Sequence, residues 1–118
     1  MQQELQDVFN AHGGEMPQTW GVPLAEIERG IKHGVRKVNI DTDCRLAMLG
    51  VIRKIADQNK SEFDPRKFLK PAMDAMSVLC ADRLERFGAA GHASRIKPVS
   101  LSIMAARYAG GSLDPVIG

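Results

Sequence analysis

Residues 35–40 read as a β-strand, and no second strand is visible anywhere in the chain. Val35, Val38 and Ile40 make a short β-prone run. A strand on its own cannot satisfy its backbone N–H and C=O groups, and a stable sheet needs neighbours. The pattern therefore implies that partner strands lie outside these 118 residues. Everything else reads as helix and loop, so the chain is expected to be α/β by ancestry and mostly helical in isolation.

The strand run ends in a polar turn. Asn39, Asp41, Thr42 and Asp43 crowd side-chain oxygens and an amide together, and a helical pattern begins at Cys44 or Arg45. A strand, a polar turn and a helix N-terminus make an anion site. Free backbone N–H groups point outward there, and the helix dipole favours negative charge by about 0.3–1 kcal/mol. Asn39 and Thr42 can donate hydrogen bonds. Ionised Asp41 cannot bind a phosphate oxygen, so it needs another task, such as accepting from a substrate hydroxyl. The spacing alone fits better an ordinary Asx- and Thr-rich turn between strand and helix, which is common.

The flanking segments read as helices. The pattern predicts one at 3–12, with Leu5, Val8 and Phe9 on one face and Gly13-Gly14 ending it. Residues 15–22 read as a loop. Pro23 suits the first turn of a helix at 23–33 that buries Leu24, Ile27 and Ile31, with Gly34 closing it in the left-handed conformation. The helix after the polar turn is expected over 44–57, burying Met48, Leu49, Ile52, Ile55 and Ala56. Asp64-Pro65 reads as a cap followed by proline at the first helical position. Pro71 is expected to break that turn and restart a longer helix to Phe87. Met73, Met76, Cys80, Leu84 and Phe87 would form its packing stripe, and Gly88 would close it. Ser100 is expected to cap a last helix with Leu101, Met104, Ala105 and Tyr108 on one face, and the tail from Ser112 is expected to fray.

Composition narrows the function classes. Hydrophobic content is 44%, charged content 25% and net charge +2, ordinary values for a globular chain. The basic residues are dispersed, with no block of five, which argues against nucleic acid as a partner. No run approaches the roughly 20 apolar residues of a membrane helix, and the polar N-terminus is not a signal peptide. Cys44 and Cys80 are far apart in sequence and lack metal-ligand spacing, which fits a reducing cytoplasm. His12, His33 and His92 are scattered and fit no local metal pattern.

Longer strings carry a resemblance. GVRKVNIDTD at 34–43 resembles the last barrel strand of the class II, zinc-dependent fructose-bisphosphate aldolases. GGEMPQTWGVPLAEIERGIKHG at 13–34 resembles the loop and helix before that strand. FDPRKFLKPAMDAM at 63–76 resembles the C-terminal extension, especially of the subtype in carbon-fixing bacteria. The likeness runs from about Gln3 to Pro115; Met1 and Gln2 depart from the family pattern. A (β/α)8 TIM barrel takes roughly 250 residues, so the resemblance implies a C-terminal fragment of one barrel domain. Residues 1–57 would be the last barrel units and 58–118 a helical extension.

The resemblance also implies roles. The parent reaction would be reversible aldol cleavage of fructose 1,6-bisphosphate into dihydroxyacetone phosphate and glyceraldehyde 3-phosphate. Asn39 would lie near the dihydroxyacetone portion, with Asp41 and Thr42 at its hydroxyl and phosphate groups. Barrels bind phosphate after strands 7 and 8, which agrees. Arg66, in the Asp-Pro-Arg motif, would reach into a neighbouring subunit and hold the distal phosphate with its planar fork. That implies a homodimer or larger homo-oligomer. The Zn2+ ligands and the acid–base residue would lie outside this chain, leaving no catalytic residue and no metal ligand within it. The alternative is a non-catalytic helical interaction module derived from the aldolase, associating with itself or with a full-length aldolase.

Overall fold

The computed structural model describes residues 2–113. Among them the helices are, in order, α1 (Gln3–Ala11), α2 (Leu24–Lys32), α3 (Thr42–Gln58), α4 (Pro65–Arg86) and α5 (Leu101–Ala109), with a 3-10 turn at Ala93–Arg95. No strand is present among the described residues. The strand expected at 35–40 is thus corrected to irregular chain. Its β-prone side chains meet no neighbouring strand among the described residues, and the hydrogen bonds that define a strand have to come from such a neighbour.

The packed centre is α3, with α1 on one side and α4 on the other. Asp43, Leu46, Ala47 and Gly50 are its buried residues, one face at the i, i+3, i+4, i+7 spacing. The face expected from the sequence was different: Leu49 and Ala56 are exposed, while Met48, Ile52 and Ile55 are half-buried. Small residues decide the outcome. A Cβ at Gly50 would sit 3.2 Å from Val8 Cγ1, so its absence is what lets α1 come close. The helix also starts at Thr42, two residues earlier than its apolar pattern.

On α4 the buried positions are Ala72 and Arg83, with Ala75, Met76, Leu79 and Cys80 half-buried beside them. The expected methionine stripe is therefore rotated: Met73 and Leu84 face out. Asp64 caps the helix, accepting from the Arg66 amide at 2.9 Å, and Pro65 opens it as expected. Pro71 does not break it. The helix runs through from Pro65 to Arg86, because fully buried Ala72 anchors the chain against its neighbours just beyond the missing N–H.

Two joints position the polar turn. At the end of α2, Gly34 takes φ +111°, and the Val35 and Gly34 amides donate to the Gly30 and Ile31 carbonyls at 3.0 and 3.3 Å. This is a Schellman closure, and the same pair of bonds ends α4 at Gly88. The loop after α1 is strapped back by Gln6 and Asn10. Gln6 Nε2 donates to the Pro17 carbonyl at 2.7 Å, and Asn10 both donates to and accepts from Met16.

The molecule is open. Its radius of gyration is 19.8 Å, against about 13.5 Å for a compact domain of this length. Trp20 and Phe63 are more than nine-tenths exposed. Helix α5 is capped by Ser100 as expected, but only Met104 of its apolar face is even half-buried. Of the tail expected to fray from Ser112, residues 114–118 lie outside the described residues, while Ser112 itself is bonded back to α5, its amide and hydroxyl both donating to the Arg107 carbonyl at 3.1 Å.

Candidate functional site

Between α2, the polar turn and the far end of α4 lies an open cavity of about 620 Å³. Asn39, Asp41 and Thr42 all line it, together with Lys37, Asp43 and Arg83. The turn is thus one wall, and the first turn of α3 opens directly onto the space. Asp41 is the N-cap of α3 in position only: it makes no side-chain cap bond. Its carboxylate accepts instead from Arg45 Nε at 2.9 Å, with both side chains largely exposed. No side chain of the cap therefore competes with an anion for the first-turn amides.

The floor is ionic. Asp43 and Arg83 are each only 7% exposed. Asp43 Oδ1 accepts from the Gln2 amide at 3.0 Å, and Arg83 Nη2 lies 3.4 Å from Asp43 Oδ2. Arg83 Nη1 also contacts Asp82 closely. Arg83 is the residue that counting apolar positions misses. It occupies a buried position on α4, eleven residues after Ala72, but it is charged and so does not register in an apolar stripe.

Arg66 is elsewhere. It does not line this cavity, and its side chain is 87% exposed. Its Nε and Nη2 donate to Asp64 at 2.7–3.0 Å. That bond holds the Arg66 guanidinium above its ordinary value and, with the Arg66 amide, holds the Asp64 carboxyl below its own. One chain thus brings Asn39, Asp41 and Thr42 together and leaves Arg66 outside.

A second open cavity, of about 850 Å³, runs along α1, α3 and α4 and is lined by Leu5, Val8, Leu46, Val51 and Leu79 among others. It is more apolar and holds none of the expected site residues. The two cysteines, distant in sequence, are neighbours here: burial first, and then the Cys80 thiol, push the Cys44 thiol above its ordinary range. Among the described residues, no helix is long and apolar enough to cross a membrane.

The model for class-II fructose-bisphosphate aldolase matches residues 3–92. The chain belongs to that family. It is 69% identical over 111 residues to a fructose-bisphosphate aldolase 2 of Rhodobacter capsulatus, covering 94% of this chain and 97% of that one. It is 67% identical over 113 residues to the fructose-bisphosphate aldolase of Sinorhizobium medicae, covering 96% of this chain and 32% of the relative. The Pseudomonas aeruginosa aldolase is 56% identical over 110 residues, of which it is likewise matched over 31% of its length. The chain therefore spans about a third of the length of these two longer relatives.

Class II aldolases generally use zinc. Among the described residues, no three side chains of His, Cys, Asp or Glu stand together as a group able to hold a metal ion. His12 is committed to Asp57, 3.0 Å away at the far end of α3. The described residues do not fit a zinc site.

Proposed function

We propose that this chain serves a class II fructose-bisphosphate aldolase, a carbon–carbon lyase, as its substrate-phosphate-binding and subunit-contact portion. The parent reaction is reversible cleavage of fructose 1,6-bisphosphate into dihydroxyacetone phosphate and glyceraldehyde 3-phosphate, in the cytoplasm. The observation that carries this reading is the shared cavity. Asn39, Asp41 and Thr42 open onto one space at the uncapped start of α3, with cationic Lys37 and Arg83 in the same walls.

The chemistry of each group follows from its type. Thr42 and the first-turn amides donate to phosphate oxygens, and the helix dipole adds to them. Asn39 donates its amide towards the dihydroxyacetone portion. Asp41 accepts from a substrate hydroxyl, exchanging its exposed Arg45 partner for it. Arg66, exposed on the surface of α4, exchanges its Asp64 partner for the distal phosphate in a neighbouring subunit and grips it through its two-pronged fork. The last barrel strand and helix, with α4 and α5 as an extension, form the framework, and residues 35–40 become a strand once partner strands flank them. Zinc ligands and the acid–base group belong to the other part of the parent enzyme, and zinc would polarise the ketone there.

The test places this chain in the segment it matches in the full-length Sinorhizobium medicae relative. Thr42→Val is expected to raise KM for the bisphosphate about tenfold, the worth of one strong phosphate hydrogen bond. Asn39→Ala should lower kcat as well. Unchanged kinetics in both variants would remove the reading. The openness of the molecule and the bare face of α5 favour a second one: a non-catalytic helical module that associates with itself or with a full-length aldolase. Self-association of the chain without phosphate affinity would select it.

A further inference from the structure

Arg83 and Asp43 are the charged residues buried among the described ones, and both border the cavity of the polar turn. Asp43 directly follows Thr42 and belongs to the first turn of α3, while Arg83 comes from the last turn of α4, forty residues on. A guanidinium is costly to bury unless its charge is answered. Here Asp43 answers it from one side and Asp82 from the other. The 3.4 Å separation from Asp43 exceeds the roughly 2.7–2.9 Å of a close charge-assisted bond. Arg83 thus acts on Asp43 as a charge held at short range rather than as a bidentate clamp. Its Nε is buried with no hydrogen-bond partner. Asp43 is also held on its other oxygen by the Gln2 amide. The first turn of α3 is therefore oriented by a polar contact reaching across from α4, not by apolar packing alone.

We propose that Arg83 is a positioning residue for sugar-phosphate binding: through Asp43 it sets the orientation of the Asn39–Thr42 turn on the cavity wall. Arg83 touches no substrate in this role. This rests on the assignment of Asn39, Asp41 and Thr42 to substrate made above. A merely structural ion pair would affect how firmly α3 and α4 are joined. A positioning residue also affects how well the turn meets a phosphate ester, which appears in KM.

The experiment again uses the chain in place of its matching segment in the full-length Sinorhizobium medicae relative. Arg83→Gln, Arg83→Lys and Asp43→Asn are compared with Asn39→Ala and Thr42→Val by steady-state cleavage of fructose 1,6-bisphosphate and by melting temperature. Arg83→Gln is expected to raise KM about tenfold with kcat nearly kept, the pattern of lost ground-state binding. Arg83→Lys, which retains the charge facing Asp43, is expected to recover most of that rise. Should Arg83→Gln fail to fold, Asp43→Asn and Arg83→Lys carry the test, and a KM rise in the former with rescue in the latter supports the proposal. A drop in melting temperature with KM unchanged in the folded variants overturns it while leaving the site assignment intact, provided Thr42→Val and Asn39→Ala do alter the kinetics. Kinetics unchanged in those two as well would overturn both.

Discussion

At the scale of single residues, charge and exposure separate what matters for folding from what is free to act. Asp43 and Arg83 are both 7% exposed, and removing one partner of a buried pair typically costs about 3–5 kcal/mol because the other charge is stranded. The long 3.4 Å contact places this pair at the lower end. Asp43→Asn is therefore expected to destabilise the chain by about 3 kcal/mol in a urea titration. The joint replacement Asp43→Leu with Arg83→Met should recover part of the loss, since neither buried charge is left facing an absent partner, although the Gln2 amide loses its acceptor. Arg66 is the opposite case. Arg66→Ala should leave the melting temperature of the chain unchanged, because the capping bond to Asp64 comes from the backbone amide, which survives the substitution. Residue type and motif single out Asn39, Asp41, Thr42 and Arg66 as the candidates, and three of them share one cavity. Arg83 was not legible, because a buried charge announces itself only through a partner forty positions away.

At the scale of elements, termini were easier to foresee than faces. Asp64-Pro65, Ser100, Gly34 and Gly88 act where the sequence puts them, because capping depends on a few adjacent atoms. The buried faces of α3 and α4 were misjudged, because close approach there is set by Gly50 and Ala72, which carry little hydrophobic signal of their own. Propensity alone predicts a break at Pro71, because it weighs a local cost, and tertiary packing outweighs it. Pro71→Ala should therefore stabilise the helix, by up to about 3 kcal/mol, and raise the ellipticity at 222 nm only slightly, since the helix is already continuous. Acid should loosen the element ends first. His12, followed by Lys60, holds the Asp57 carboxyl below its ordinary value of 3.8, and Arg66 does the same for Asp64. A depressed folded pKa contributes stability that is fully present above the unfolded value and is lost as pH falls through the folded one. Helicity should thus be flat from pH 7 to about 5 and decline below about 4. In Asp57→Asn with Asp64→Asn, the low-pH limb should flatten.

At the scale of the whole molecule, the arrangement of the proposed site predicts how subunits must cooperate. Asn39, Asp41 and Thr42 share one cavity, while Arg66 stands outside it on an exposed turn of α4. If one substrate needs both, the proposed arrangement has its second phosphate gripped by an Arg66 from another copy. Two impaired variants can then repair each other when assayed at bisphosphate well below the native KM, where a raised KM slows each of them alone. With the chain seated in its full-length relative, Arg66→Ala leaves a subunit with an intact cavity, and Thr42→Val leaves one with an intact arginine. In the proposed dimer, with the two variants mixed equally and allowed to exchange, half of the pairs join unlike subunits, and each such pair contains one site with both groups native. About a quarter of all sites should therefore be restored, and the bisphosphate-cleavage rate should rise to about that share of the native enzyme. Were Arg66 to act within its own subunit, every site in the mixture would carry one defect, and mixing would restore nothing. The rate on exchange, compared with that of each variant alone, decides between the two arrangements.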